Sequence, residues 1–92
     1  MSPLASFTTP RFRSCFSQLP ADVQRQAREA YQRFVENPSY PALRFKQVHP
    51  VQPIFSVRVS LEYRALGVRD GQTMIWFWIG SHAEYDRLLS SM

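Results

Sequence analysis

His82 follows Gly80-Ser81 at the end of an apolar run, Trp76-Phe77-Trp78-Ile79, and is one of only two histidines in 92 residues. Imidazole has a reference pKa of about 6.5, so both of its forms are accessible near neutral pH and it can move a proton in either direction. Arg64, in Tyr63-Arg64-Ala65-Leu66-Gly67 just upstream, adds a fixed cation, and Arg58 adds another one segment earlier. Lys46 is the sole lysine among the 11 basic residues. A proton carrier beside guanidiniums and an ammonium suits chemistry on a phosphate backbone. Cations stabilise the charge that develops on the phosphoryl oxygens, while a base and an acid handle the protons. Arginine fits the first task because its planar fork grips a phosphate through two hydrogen bonds. Lys46 can neutralise phosphate, or act as the acid if neighbouring arginines depress its pKa. The competing assignment is bland: either arginine pairs with Glu62 or Asp86, Lys46 is a solvated strand residue, and His82 merely opens a helix.

Bringing these groups together requires a sheet. Ile54 to Ser60 alternates, with Phe55, Val57 and Val59 on one face and Ser56, Arg58 and Ser60 on the other, as in a half-buried strand. A tight turn near Leu61-Glu62 leads into Tyr63 to Arg69, Asp70-Gly71 signals a hairpin turn, and Met74 to Ile79 is the last strand of an antiparallel meander. Because that last strand is apolar throughout, it belongs in the sheet interior. Arg58 and Arg64 then stand on adjacent strands, able to hold one phosphate if their side chains share a face. Trp76 and Trp78 are assigned to one face of their strand, either as core or as a stacking platform for unpaired bases. Leu43 and Phe45, alternating with Arg44 and Lys46, predict a further strand, followed by the Pro50-Val51-Gln52-Pro53 connection. His49, before Pro50, is a further candidate for contacts with an anionic chain.

Ser81-His82-Ala83-Glu84 has the pattern of a capping box, which predicts a short terminal helix carrying Tyr85, Leu88 and Leu89. His82 is then at its first position, where the positive helix terminus lowers the imidazole pKa and favours a nearby phosphate. At the other end of the chain, Ala5 to Thr8 is at best a short edge strand. Thr9-Pro10 starts a helix with Phe12, Cys15, Phe16 and Leu19 on its buried face. Pro20 opens a second helix with an apolar stripe of Val23, Ala27, Ala30, Tyr31 and Phe34, ended by Asn37-Pro38. The two helices are expected to form an antiparallel hairpin over one face of the meander.

The chain length supports one small domain, residues 1–92. Hydrophobic content of 45% with 14% aromatic residues places it among ordered globules. A net charge of +4 favours anionic partners, and ten of the cations are arginine. The single cysteine, Cys15, read as a buried thiol, excludes an intrachain disulfide, and with two histidines it argues against a structural zinc site. No apolar stretch approaches a membrane span and no signal-peptide core is evident, so no membrane is implicated and the cytoplasm is the expected compartment.

The order helix, helix, curled meander, with Leu43-Arg44-Phe45-Lys46, Phe55-Ser56-Val57-Arg58-Val59, Tyr63-Arg64-Ala65-Leu66-Gly67 and Ile79-Gly80-Ser81-His82, resembles the RelE/ParE superfamily of bacterial toxins. The resemblance implies an α+β fold, with an N-terminal helical hairpin packed on a curled antiparallel sheet and a short C-terminal helix. It also implies a cognate antitoxin partner. The RelE-like branch cuts messenger RNA, usually in the ribosomal decoding site, and the ParE-like branch poisons DNA gyrase. A titrating group after Ile79-Gly80 has no use in pure binding, which favours the RelE-like branch: a metal-independent, cofactor-free endoribonuclease. The alternatives are a gyrase-inhibiting binding module and a non-toxic regulatory member of the fold.

Carried over by position, the resemblance makes His82, Arg64 and Lys46 the catalytic candidates. It makes Arg58, Tyr85, Arg44 and His49 the RNA-binding candidates. Lys46 matches a strand lysine near the scissile phosphate, Arg64 the arginine of a Tyr-Arg motif, and His82 the basic position after the glycine. The sequence departs from the pattern in having one lysine where RelE-like enzymes have several. Tyr85 is the nearest counterpart of a tyrosine that some members place late in the terminal helix. The assembly expected is a homodimer or a toxin-antitoxin hetero-oligomer.

Overall fold

Two tight turns fold the second half of the chain into the meander that its alternation requires. In the computed structural model, which describes residues 4–92, β3 (Ile54–Ser60) and β4 (Tyr63–Asp70) pair antiparallel, as do β4 and β5 (Thr73–Ser81). Gly71 supplies the positive φ, 60°, of the β4–β5 turn. A two-residue β2 (Lys46–Gln47) extends the sheet beside β3. On the other edge, β1 (Ala5–Thr8) pairs with β5, so the strand order is β1-β5-β4-β3-β2. This β1–β5 pairing is parallel, which makes the sheet mixed where a purely antiparallel one was expected. An apolar β5 left on the sheet edge would expose unpaired backbone, and β1 covers it.

The helices lie on both faces. Thr9 caps α1 (Pro10–Ser17), its Oγ1 accepting from the Phe12 amide at 3.1 Å. After Pro20 comes α2 (Ala21–Glu36), and Gln24 Nε2 ties the two together by donating to the Phe16 and Leu19 carbonyls. On this face Ala30 and Phe34 of α2 pack on Val57, Ala65, Met74, Trp76 and Ile79. Phe34 meets both Trp76 and Phe45 edge-on. Phe12, Phe16 and Leu19 line α1 as expected but are only half-buried, and so is Cys15, which was expected to be buried. Tyr31, placed in the α2 stripe by its spacing, is instead exposed at 46%. On the opposite face α3 (His82–Ser90) lays Tyr85 against Ile54, Leu66 and Trp78.

The division between faces rests on one extra residue. Leu66 pairs with Trp78, but the next residue of β4, Gly67, pairs with Trp76, so Phe77 is a bulge in β5. A bulge shifts the alternation of the residues beyond it. Trp76 therefore faces α2 and Trp78 faces α3, which overturns the assignment of both tryptophans to one face. A glycine makes room for each indole. A Cβ on Gly67 would lie 2.7 Å from Trp76 Cε3, and one on Gly80 would lie 2.5 Å from Trp78 Cζ2.

The strand expected over Leu43 to Lys46 is also shorter than its alternation suggests. Pro41–Leu43 form a 3-10 turn, and Arg44 takes a left-handed conformation (φ 47°, ψ 43°) before β2 begins. Leu43 and Phe45 still face the α2 core, because the turn rather than a pleat aims them there.

Substituting Gly80 by alanine should destabilise the fold by about 1–3 kcal/mol, seen as a lower urea midpoint with unchanged slope. In a Trp78→Leu background the same alanine should be nearly neutral, because the indole that it strikes is gone.

Candidate functional site

Strand parity gathers the cations on the face that carries α3. Arg58 pairs with Arg64, and Arg64 with Gly80, while Lys46 pairs with Ser56, two residues before Arg58, so β2, β3 and β4 present Lys46, Arg58 and Arg64 on one face, with Lys46 diagonal to Arg58. Arg58 and Arg64 do share a face. Arg44, at its left-handed position, lies close enough to act electrostatically on Arg64. Left-handed backbone is unfavourable for a residue with a Cβ, and such positions concentrate at functional sites.

The β3–β4 turn fixes Arg64. Its Nη1 donates to the carbonyls of Ser60 at 2.6 Å and Tyr63 at 3.0 Å, and more distantly to Leu61. Among the described residues Nε and Nη2 bond no acceptor, so that edge of the guanidinium remains for a ligand. Partial burial, then the Arg58 guanidinium and Arg44, hold the Arg64 pKa below its ordinary value, while Tyr85 and Asp86 act the other way. Arginine stays charged at neutral pH regardless. The repulsion is therefore a cost that an anion bound here would relieve. Among the described residues, none of Arg44, Lys46, Arg58 and Arg64 has a carboxylate within 4.0 Å; Arg25 and Glu29 form an ion pair, and Asp86 approaches the His82 imidazole.

His82 opens α3 behind a complete capping box: Ser81 Oγ accepts from the Glu84 amide at 3.2 Å, and Glu84 Oε1 accepts from the Ser81 amide at 3.3 Å. The His82 amide donates to the Glu62 carbonyl at 2.6 Å, so the turn that grips Arg64 also anchors the start of α3. The imidazole is 43% exposed, its Nδ1 is 3.1 Å from Asp86 Oδ2, and its ring meets Tyr85 edge-on at 5.7 Å. No group of three or more His, Cys, Asp or Glu among the described residues is arranged to hold a metal ion.

Two sequence candidates are placed differently from the rest. Tyr85 is 8% exposed, and its hydroxyl donates to the buried Ser56 Oγ at 3.3 Å, so its ring is packed beneath the site rather than presented for stacking. His49 lies at the far end of β3, in a cleft with Ile54, Val68 and Met92, and its Nδ1 accepts the Val51 and Gln52 amides. That nitrogen closes the 49–52 turn, and the residue is not gathered with the Arg64 group. Sequence reasoning missed Ser56 as the Tyr85 partner and Asp86 as the His82 partner. The i, i+4 spacing of His82 and Asp86 on a predicted helix was the available signal for the latter.

The sequence profile of the ParE-like toxin domain matches residues 21–87, which include every catalytic candidate. The chain belongs to that family. The toxin domain has no significant match among curated proteins. Among solved structures it is similar to a chain of the toxin-antitoxin complex RelBE2 from Mycobacterium tuberculosis, with a TM-score of 0.69 and 20% identity over 87% of this chain and 99% of that one. A chain of the RelB-RelE antitoxin-toxin complex from Methanococcus jannaschii gives a TM-score of 0.67 with 14% identity, covering 88% of this chain and 96% of that one. A conserved hypothetical protein from Helicobacter pylori gives 0.65 and 13%, covering 87% and 96%. At these identities the likeness is one of fold, and that fold is the RelE-like α+β arrangement.

Replacing Arg58 by glutamine should stabilise the toxin domain by about 0.2–1 kcal/mol in thermal melts, since like charges directly opposite on paired strands repel. Tyr85→Phe should cost about 0.5–1.5 kcal/mol by leaving the buried Ser56 hydroxyl without its partner, read from the same melts.

Proposed function

We propose that the toxin domain is a metal-independent endoribonuclease that cuts messenger RNA, acting on the ribosome. The observation that carries this reading is the group of cations with no carboxylate within 4.0 Å among the described residues, Arg44, Lys46, Arg58 and Arg64, together with the half-exposed imidazole of His82, two residues after the Gly80 that pairs with Arg64. In this reading His82 takes the proton from a ribose 2′-OH, and the 2′-oxygen attacks the adjacent phosphorus. Arg64, through its open edge, and Arg58 hold the non-bridging oxygens as the phosphorane forms. Lys46 protonates the departing 5′-oxygen, which yields a 2′,3′-cyclic phosphate and a 5′-hydroxyl end. Arg44 binds the neighbouring phosphate. Tyr85 supports the site from beneath, and His49 extends the contact along the chain of phosphates.

The same unneutralised surface suits an acidic segment of a cognate antitoxin. Two of the structures with this fold are toxin-antitoxin complexes, which supports pairing of this chain with such a partner. A second reading has its own support. The matching profile is described as ParE-like, which favours a binding module that inhibits gyrase and leaves RNA intact.

Induced expression should arrest growth and produce transcripts with new 5′-hydroxyl ends, mapped by end-specific ligation and sequencing. His82→Ala should lower cleavage about 10²- to 10⁴-fold, the usual contribution of a proton-transfer group, and Arg64→Ala should likewise relieve the arrest. Full toxicity in both variants would refute the site. Intact transcripts with DNA breaks would select the gyrase reading.

A further inference from the structure

We propose that Asp86 is a positioning residue that fixes the tautomer of His82, so that Nε2 presents a lone pair to the substrate. Asp86 lies one helical turn after His82, and its Oδ2 is 3.1 Å from Nδ1. An ionised carboxylate only accepts hydrogen bonds, so Nδ1 must carry the hydrogen. In the neutral ring Nε2 is then the unprotonated nitrogen, the form that a general base requires. The backbone is anchored by the His82 amide on the Glu62 carbonyl, and the ring by its T-shaped contact with Tyr85 and by Asp86 at Nδ1.

The competing partner for Asp86 is Arg64, which feels its charge. Yet no Asp86–Arg64 contact falls within 4.0 Å among the described residues, while the imidazole lies well inside that distance. Glu84, the other carboxylate near the start of α3, is engaged by the Ser81 amide and hydroxyl and is not available to the ring. The side chains of His82 and Asp86 are 43% and 63% exposed, so their contact adds little to stability and its consequence is the orientation of the ring.

This inference rests on the endoribonuclease reading for its consequence but not for its geometry, so it is tested first without RNA. Two-bond ¹H–¹⁵N spectra of the free protein, taken above the His82 titration, should show Nδ1 protonated and Nε2 unprotonated. In Asp86→Asn, whose amide can donate to Nδ1, the Nε2–H form should dominate, and Asp86→Glu should restore the native pattern at least in part. On messenger RNA bound in ribosomes, Asp86→Asn should lower kcat about 10- to 100-fold with KM within about twofold, the signature of an interaction used in the chemical step. The same tautomer mixture in wild type and Asp86→Asn, or an unchanged kcat, would overturn the assignment. A wild-type protein that shows the Nδ1–H form yet cuts no ribosome-bound messenger RNA upholds the pairing and overturns the endoribonuclease reading instead.

Discussion

Because β5 carries one more residue than β4 at Phe77, the strand changes its phase halfway along, and both faces of the sheet depend on that change. Without it Trp78 would follow Trp76 toward α2, and the surface beneath α3 would lose its largest apolar ring. With it Met74, Trp76 and Ile79 build the core under α1 and α2, while Trp78 joins Ile54, Leu66 and Tyr85 under α3. Gly67 and Gly80 serve the same arrangement from opposite sides, since each leaves its face open for one indole. Gly80 pairs with Arg64, so the strand position across from the central cation is covered by the Trp78 indole rather than by a side chain of its own.

The energetics of this face run against the fold and in favour of an anion. Arg58 stands opposite Arg64, Arg44 lies near by in a conformation that side chains disfavour, and among the described residues no carboxylate comes within 4.0 Å of them, Asp86 acting on Arg64 only from further away. Such a cluster persists where the surrounding structure over-determines it. Here the β3–β4 turn does so: its carbonyls accept from Arg64 on one side and from the His82 amide on the other. One four-residue reversal thus sets the distance between a cation and a proton carrier, although the two residues belong to different elements.

Much of this was legible from residue patterns because those patterns have physical causes. The alternation of Ile54 to Ser60 fixes which side chains face the α2 core, and the same parity puts Arg58 with Arg64. Ser81 and Glu84 specify the start of α3, and with it the place of His82. What escaped was set by partners distant in the chain. An all-apolar run such as Met74 to Ile79 carries no polar residues to mark its phase, so a bulge within it leaves no trace in the sequence. Arg44 has none of the composition that signals a left-handed turn. Tyr85 reads equally well as a stacking ring or a core ring until Ser56 is seen beneath it, and Tyr31 shows that a helical stripe can be wider than the surface it covers. His49 stands apart from its assigned company because the amides of the turn after it take its Nδ1 as their acceptor.

The pairing of β1 with β5 also orders events in time. Ala5 finds its partner at Thr73 and Thr8 at Trp76, so the first strand of the domain cannot dock until synthesis has passed β5. Contacts of such long sequence separation form late, after local turns and helices have closed. During synthesis the α1–α2 segment is available well before the meander whose face bears the cations. The surface that would grip a polyanion is therefore completed only after the helices that cover the opposite face have been made.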